Sequence, residues 1–170
     1  DSDRIASVNE AIAKSKIQNV KTHCSYTEQL EEKDFDFAFS IDVFEHIAPE
    51  EMPFKAVYDR LKPGGYFMVK MPYITQKTIL PERFFEEHHE WLEEEHIGQV
   101  YDLFKLEKRF MNEGFRVVYS SYSDGWYSRL GWEIAYLGKK AGIIGQMLTL
   151  PLAKLLIKFD RMFHINTWGN

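Results

Sequence analysis

Apolar residues recur at helical spacing at the start of the chain: Ile5, Val8 and Ile12, with Ala6 and Ala13 beside them, follow a capping Ser2 or Asp3. This helix is expected to stop near Gln18-Asn19. Residues 20–24 then read as a short strand, and residues 35–40, apolar on both faces except for Asp36, as a buried one. Pro49 and Pro53 precede a second helical stripe of Phe54, Val57, Tyr58 and Leu61, which Lys62-Pro63-Gly64-Gly65 ends. Residues 66–71 form the next apolar strand. Asp102 is placed to cap a helix carrying Leu103, Leu106 and Phe110, Gly114 suits its left-handed C-terminal position, and residues 115–122 read as a further strand.

Strands alternating with helices of this length predict an α/β fold: a doubly wound, mostly parallel sheet with right-handed crossovers and helices on both faces. Residues 1–124 would hold this sheet, interrupted by an insertion over residues 73–101 that is much longer than an ordinary connection. Residues 125–170 form a helical, basic and apolar C-terminal segment. The acidic run Glu93-Glu94-Glu95 reads as a solvated helix face.

Composition is ordinary for one globular domain, with 45% hydrophobic and 28% charged side chains among 170 residues. Charge is unevenly spread. The net −5 resolves into −9 for residues 1–125 and +4 for residues 126–170. An acidic body repels phosphate backbones, which argues against a nucleic-acid substrate. Cys24 is the single cysteine and no basic-then-apolar leader opens the sequence, so a reducing, cytoplasmic setting is expected.

Two motifs carry the chemistry. Asp36, Ser40, Asp42, Glu45, His46 and Ile47 run along a strand and into the loop after it, and Leu61-Lys62-Pro63-Gly64-Gly65 leads into the next strand, which Pro72 closes. In this order they resemble the later part of a class I, Rossmann-like S-adenosylmethionine-dependent methyltransferase. The resemblance covers roughly residues 1–122. It implies that the glycine-rich cofactor turn and the ribose-binding carboxylate lie upstream of Asp1, which is itself a weak substitute for the latter.

What the resemblance implies about the site follows motif by motif. Ser40, Ile41, Asp42 and His46 would line the cofactor mouth at the strand's carboxyl end. The family's usual adenine-binding carboxylate is replaced by Ser25-Tyr26, so adenine contact falls to Ser25, the Tyr26 ring or hydroxyl, or the backbone of Thr27. Methyl transfer is an in-line displacement that demands alignment and a dry pocket. For a hydroxyl acceptor His46, His88 or His89 would take the proton. The resemblance implies S-adenosylmethionine as the cofactor and a small or lipid-linked molecule as the acceptor. The competing reading is a non-catalytic, membrane-associated interaction module on the same fold.

The insertion, rich in Phe84, Phe85, His88, His89, Trp91 and His96, is either a substrate-covering lid or a helix packed through its aromatic face. No metal site is expected: His89-Glu90 lacks a second histidine four residues on, and His88 and His96 are two turns apart. From Gly138 to His164 the chain is apolar with basic edges. Its uncharged run between Lys140 and Lys154 is too short to span a bilayer, and Gly145 and Pro151 are expected to break it. Residues 138–165 therefore suit an interfacial anchor with Trp126, Trp132 and Trp168 at headgroup level, peripheral at the inner membrane face, or a cap on the sheet or on a second subunit in a homodimer. Gly169-Asn170 reads as a turn toward a further strand.

Overall fold

The computed structural model describes residues 2–74 and 77–163. Trp168 and the expected Gly169-Asn170 turn lie outside the described residues. In chain order come α1 (Ser2–Lys14), a 3-10 turn (Thr27–Gln29), β1 (Phe35–Ile41), a second 3-10 turn (Phe44–His46), α2 (Phe54–Tyr58) and β2 (Leu61–Lys70). A third 3-10 turn (Glu82–Phe84), α3 (Glu86–Glu95), α4 (Leu103–Asn112), α5 (Trp126–Lys140) and α6 (Gly142–Phe163) follow.

β1 and β2 pair in parallel, Phe37 opposite Tyr66 and Ile41 opposite Lys70. The register breaks between Phe35 and Phe37 because residues 62–65 loop out of β2. Gly64 takes φ 82°, and a Cβ on Gly65 would stand 3.0 to 3.3 Å from three carbonyl oxygens, of Lys62, Phe35 and Asp36. The Gly-Gly pair is thus required by the backbone, and Lys62 closes the bulge through its 2.7 Å ion pair with Asp36.

Alternation along the strands sorts the side chains into two layers. Phe67 and Val69 of β2, with Met71 just beyond it, pack on a core of Phe44, Met52 and Phe54, and α4 closes that layer with Leu106 and Phe110. Phe54 is fully buried and meets Phe44 and Phe110 edge to face at 5.3 and 5.0 Å. On the opposite face Phe37, Phe39, Tyr66 and Met68 are exposed. One covered face, rather than the expected two, is therefore seen among the described residues. β1 is half-open, not a buried strand.

Two expected strands carry no ladder. Residues 20–24 meet α1 through a Thr22 hydroxyl that donates to Asn9 at 2.7 Å but form no ladder, and residues 115–122 run beside β2 without pairing. Strand-favouring composition supplies the side chains, but a strand exists only where a neighbour satisfies its backbone, and among the described residues the sheet has two strands. α1 ends earlier than expected, Lys16 leaving it at φ 55°.

The C-terminal segment is a helical hairpin reversed at Gly142, φ 82°. Close approach rests on glycines: a Cβ on Gly138 would fall 1.9 Å from the Thr149 hydroxyl, and one on Gly145 2.5 Å from the Gly138 oxygen. Asp160 of α6 accepts from the backbone N–H of Gly125 at 2.6 Å and caps the start of α5. Contrary to the expected interruption, α6 runs unbroken through Pro151. Proline removes one backbone donor there, and the rest of the 22-residue ladder outweighs it. The segment Gly142–Asp160 is long and apolar enough to cross a membrane, which the uncharged run alone had excluded.

Candidate functional site

At the carboxyl ends of β1 and β2 the chain turns away from the sheet and leaves a cavity of about 360 Å³. Asp42 follows β1 directly, its φ of 51° swings the chain into the Phe44–His46 turn, and that turn contributes Glu45 and His46. Lys70 enters from the end of β2 and Met71 from just beyond it. His88, Trp91 and His96 come from the insertion.

The insertion is seated on this turn by its backbone. Gly98 donates to the Glu45 carbonyl at 2.7 Å, and a side chain there would run into the neighbouring Phe44 and Ile47 carbonyl oxygens. His46 Nδ1 lies 3.0 Å from the Glu95 carbonyl, which only accepts, so Nδ1 carries the proton. Gln99 donates its amide to the Tyr73 carbonyl and turns its oxygen toward His96 Nδ1, so that nitrogen is also the donor. Both imidazoles keep Nε2 as the acceptor, and their rings meet edge to face at 4.7 Å.

α5 forms the outer wall. Glu133, with no exposed surface, accepts from the backbone N–H groups of Ile79 and Leu80 at 2.9 and 2.8 Å and from Arg129 Nε at 3.0 Å. Phe85, also fully buried, stacks on Trp132 and leans on Tyr136. The aromatic face of the insertion is therefore a packing face against α5, and in being packed it also closes one side of the cavity. His88 lies 4.9 Å from the Trp132 ring and 5.8 Å from that of Trp91. Burial, and then the neighbouring His89, Arg129 and His96, hold its pKa below the ordinary 6.5.

Of the residues singled out in the sequence, Asp42, His46 and His88 converge on this cavity. Ser40 and Ile41 lie on the strand just before it, paired with Val69 and Lys70. His89 does not line it. Nor do Ser25, Tyr26 and Thr27: Arg60 binds the carbonyls of Glu28 and Leu30 at 2.8 and 2.7 Å and holds that turn beside the amino end of β2. Sequence reasoning missed Glu45 as a site residue, along with Lys70, His96 and Asp124. Only the adjacent Glu45-His46 pair was a local signal; His96 reaches the site through folding. A larger cavity of about 950 Å³ follows the other edge of β2 and residues 115–123, and its lining is mostly apolar.

Parallel strands whose carboxyl ends open onto a polar cavity are a ligand-binding arrangement of open α/β sheets. A family profile described as a methyltransferase domain matches residues 4–120, well over half of the chain and all of both strands. No curated protein and no solved structure matches significantly. The profile match spans the two motifs and the strand ends that carry the cavity, and the chain belongs to the methyltransferase-domain family.

Proposed function

We propose that the protein transfers a methyl group from S-adenosylmethionine to a small-molecule or lipid-linked acceptor bound at the carboxyl ends of β1 and β2. The observation that carries this reading is the charge pattern of the cavity there. Asp42 and Asp124 are suited to accept from an ammonium group and Lys70, 3.6 Å from Asp124, to meet a carboxylate, as the amino-acid end of the cofactor requires. When bound, the cofactor supplies an electrophilic methyl carbon.

The chain's own residues have the remaining work. Trp91 and Trp132 exclude water and fix the approach of the acceptor. His88, its pKa held below the ordinary 6.5 chiefly by burial, takes the proton of a hydroxyl acceptor at the cavity wall. Calorimetry with S-adenosylhomocysteine tests the reading: one-to-one heat supports it, and its absence in the full protein overturns it.

A membrane-surface setting, at the inner face of a cytoplasmic membrane, is part of the proposal. Ile143, Ile144, Met147 and Leu148 of α6 are each at least 70% exposed, with Lys139 and Lys140 on one flank and Lys154 and Lys158 on the other. A lipid-linked acceptor would then be met where it resides. Flotation on anionic liposomes tests this, and flotation without cofactor binding favours a non-catalytic module instead.

A further inference from the structure

We infer that Glu45, His46 and His96 form a binding site for a divalent transition-metal ion of the zinc type. One ligand atom from each, two imidazole nitrogens and a carboxylate oxygen, lie within 4.8 Å of one another. Two ligands on one tetrahedral ion stand roughly 3.3 Å apart for bonds of about 2.0 Å. Small side-chain rotations close the difference.

Three features point to a cation at the centre of this cluster. Glu45 is 2% exposed and its Oε2 is buried with no hydrogen-bond partner among the described residues. A buried carboxylate oxygen left without a donor is costly, and a metal ion satisfies it. Both histidines donate Nδ1–H to fixed acceptors, His46 to the Glu95 carbonyl and His96 to the Gln99 side chain, which leaves each Nε2 lone pair available. That outer hydrogen bond is the one metal-binding histidines use to set tautomer and ring orientation. Two lone pairs and a carboxylate converging without a cation repel one another; with one they become a ligand set. Mixed imidazole and carboxylate donors favour zinc, cobalt, iron or manganese over magnesium.

Three protein ligands leave the ion open toward the cavity that His88 and Asp42 also line. An acceptor oxygen bound there would lose its proton more readily. Only this role rests on the methyl-transfer reading; ion binding does not.

The test is calorimetric titration of the full, metal-stripped chain with zinc chloride, with cobalt chloride absorption as a second readout and magnesium chloride as the contrast. One zinc per chain is expected, with cobalt visible bands of an imidazole-carboxylate site and no magnesium heat. His96→Ala and Glu45→Gln abolish the binding, whereas His23→Ala, at an exposed histidine paired with Glu32, leaves it intact. Gln99→Leu, which touches no ligand atom, weakens it about 10- to 100-fold by freeing His96. The variants are read only as folded protein, verified by circular dichroism, and Gln99→Leu keeps the test decisive if a ligand variant fails to fold. Absence of zinc heat in the wild type, or zinc binding undiminished in His96→Ala and Gln99→Leu, overturns the site. Zinc binding without S-adenosylhomocysteine binding would retain it and remove the methyl-transfer role alone.

Discussion

The backbone N–H of Gly98 donates to the carbonyl of Glu45 at 2.7 Å, and a methyl group on the Gly98 α-carbon would stand 2.2 Å from the Ile47 oxygen and 2.3 Å from that of Phe44. No rotamer relieves a clash between a Cβ and two main-chain oxygens. Gly98→Ala must therefore push the insertion off the Phe44–His46 turn, at a cost of about 1–3 kcal/mol. Urea unfolding should register that loss, and hydrogen exchange should show faster exchange in residues 95–99 than in β1. Wild-type stability in the variant would mean that the insertion is not seated as described.

Glu133 joins three partners from two parts of the chain, the Ile79 and Leu80 amides and Arg129. All of them face a residue with no exposed surface, so Glu133→Ala leaves Arg129, 5% exposed, beside an empty space. Breaking a buried charged pair costs about 3–5 kcal/mol. Glu133→Gln keeps one acceptor oxygen and should fall between. Equilibrium denaturation of the two variants checks this order; equal effects would show that the hydrogen bonds to the insertion carry little of the stability.

Much of this architecture was legible in the sequence because its causes are local. Asp102 accepts from the Lys105 N–H at 2.7 Å as an N-cap, and Gly114 sits at φ 92° as a helix terminator. Both effects depend on residues within one turn. The parallel strands were legible from their apolar runs, but Lys62-Pro63-Gly64-Gly65, expected to end a helix reaching Leu61, instead loops out within β2, which begins at Leu61 after α2 stops at Tyr58. Residues 20–24 and 115–122 were misread because composition cannot reveal whether a neighbour offers backbone partners. α6 was misread because a proline's cost was weighed without the roughly three turns of helix that continue beyond it. At the site, Asp42 and His46 followed from the strand end. His96 did not, because its approach depends on the Gly98 contact and on the Gln99 bond to Tyr73, neither of which has a sequence period.

His88 gives the pH prediction. Its folded pKa lies below the ordinary 6.5, chiefly through burial and then through His89, Arg129 and His96. Between that folded value and 6.5 the unfolded chain binds more protons than the folded one, so this residue's contribution to stability is fully present above 6.5 and is lost as pH falls through the folded pKa. An imidazole proton titration by NMR should place the His88 midpoint below 6.5, and Arg129→Met should raise it by removing one of the positive neighbours. A midpoint at or above 6.5 would contradict the packing of His88 beside Trp132.

The last prediction separates the two readings of α6. Were its apolar face a cap for the sheet, Ile144 and Leu148 would be buried; they are instead 75% and 73% exposed. Replacing both with serine removes little buried area, so the unfolding free energy should change by no more than about 0.5 kcal/mol per site. The same pair of substitutions should weaken binding to anionic liposomes, because a membrane surface rewards apolar area that the fold itself leaves open. Flotation assays on wild type and the double variant, at low and high salt, measure this directly. Unchanged flotation would exclude this face as the anchor, and a large loss of stability would show that it is covered in solution, by a second copy of the chain if the loss depends on protein concentration.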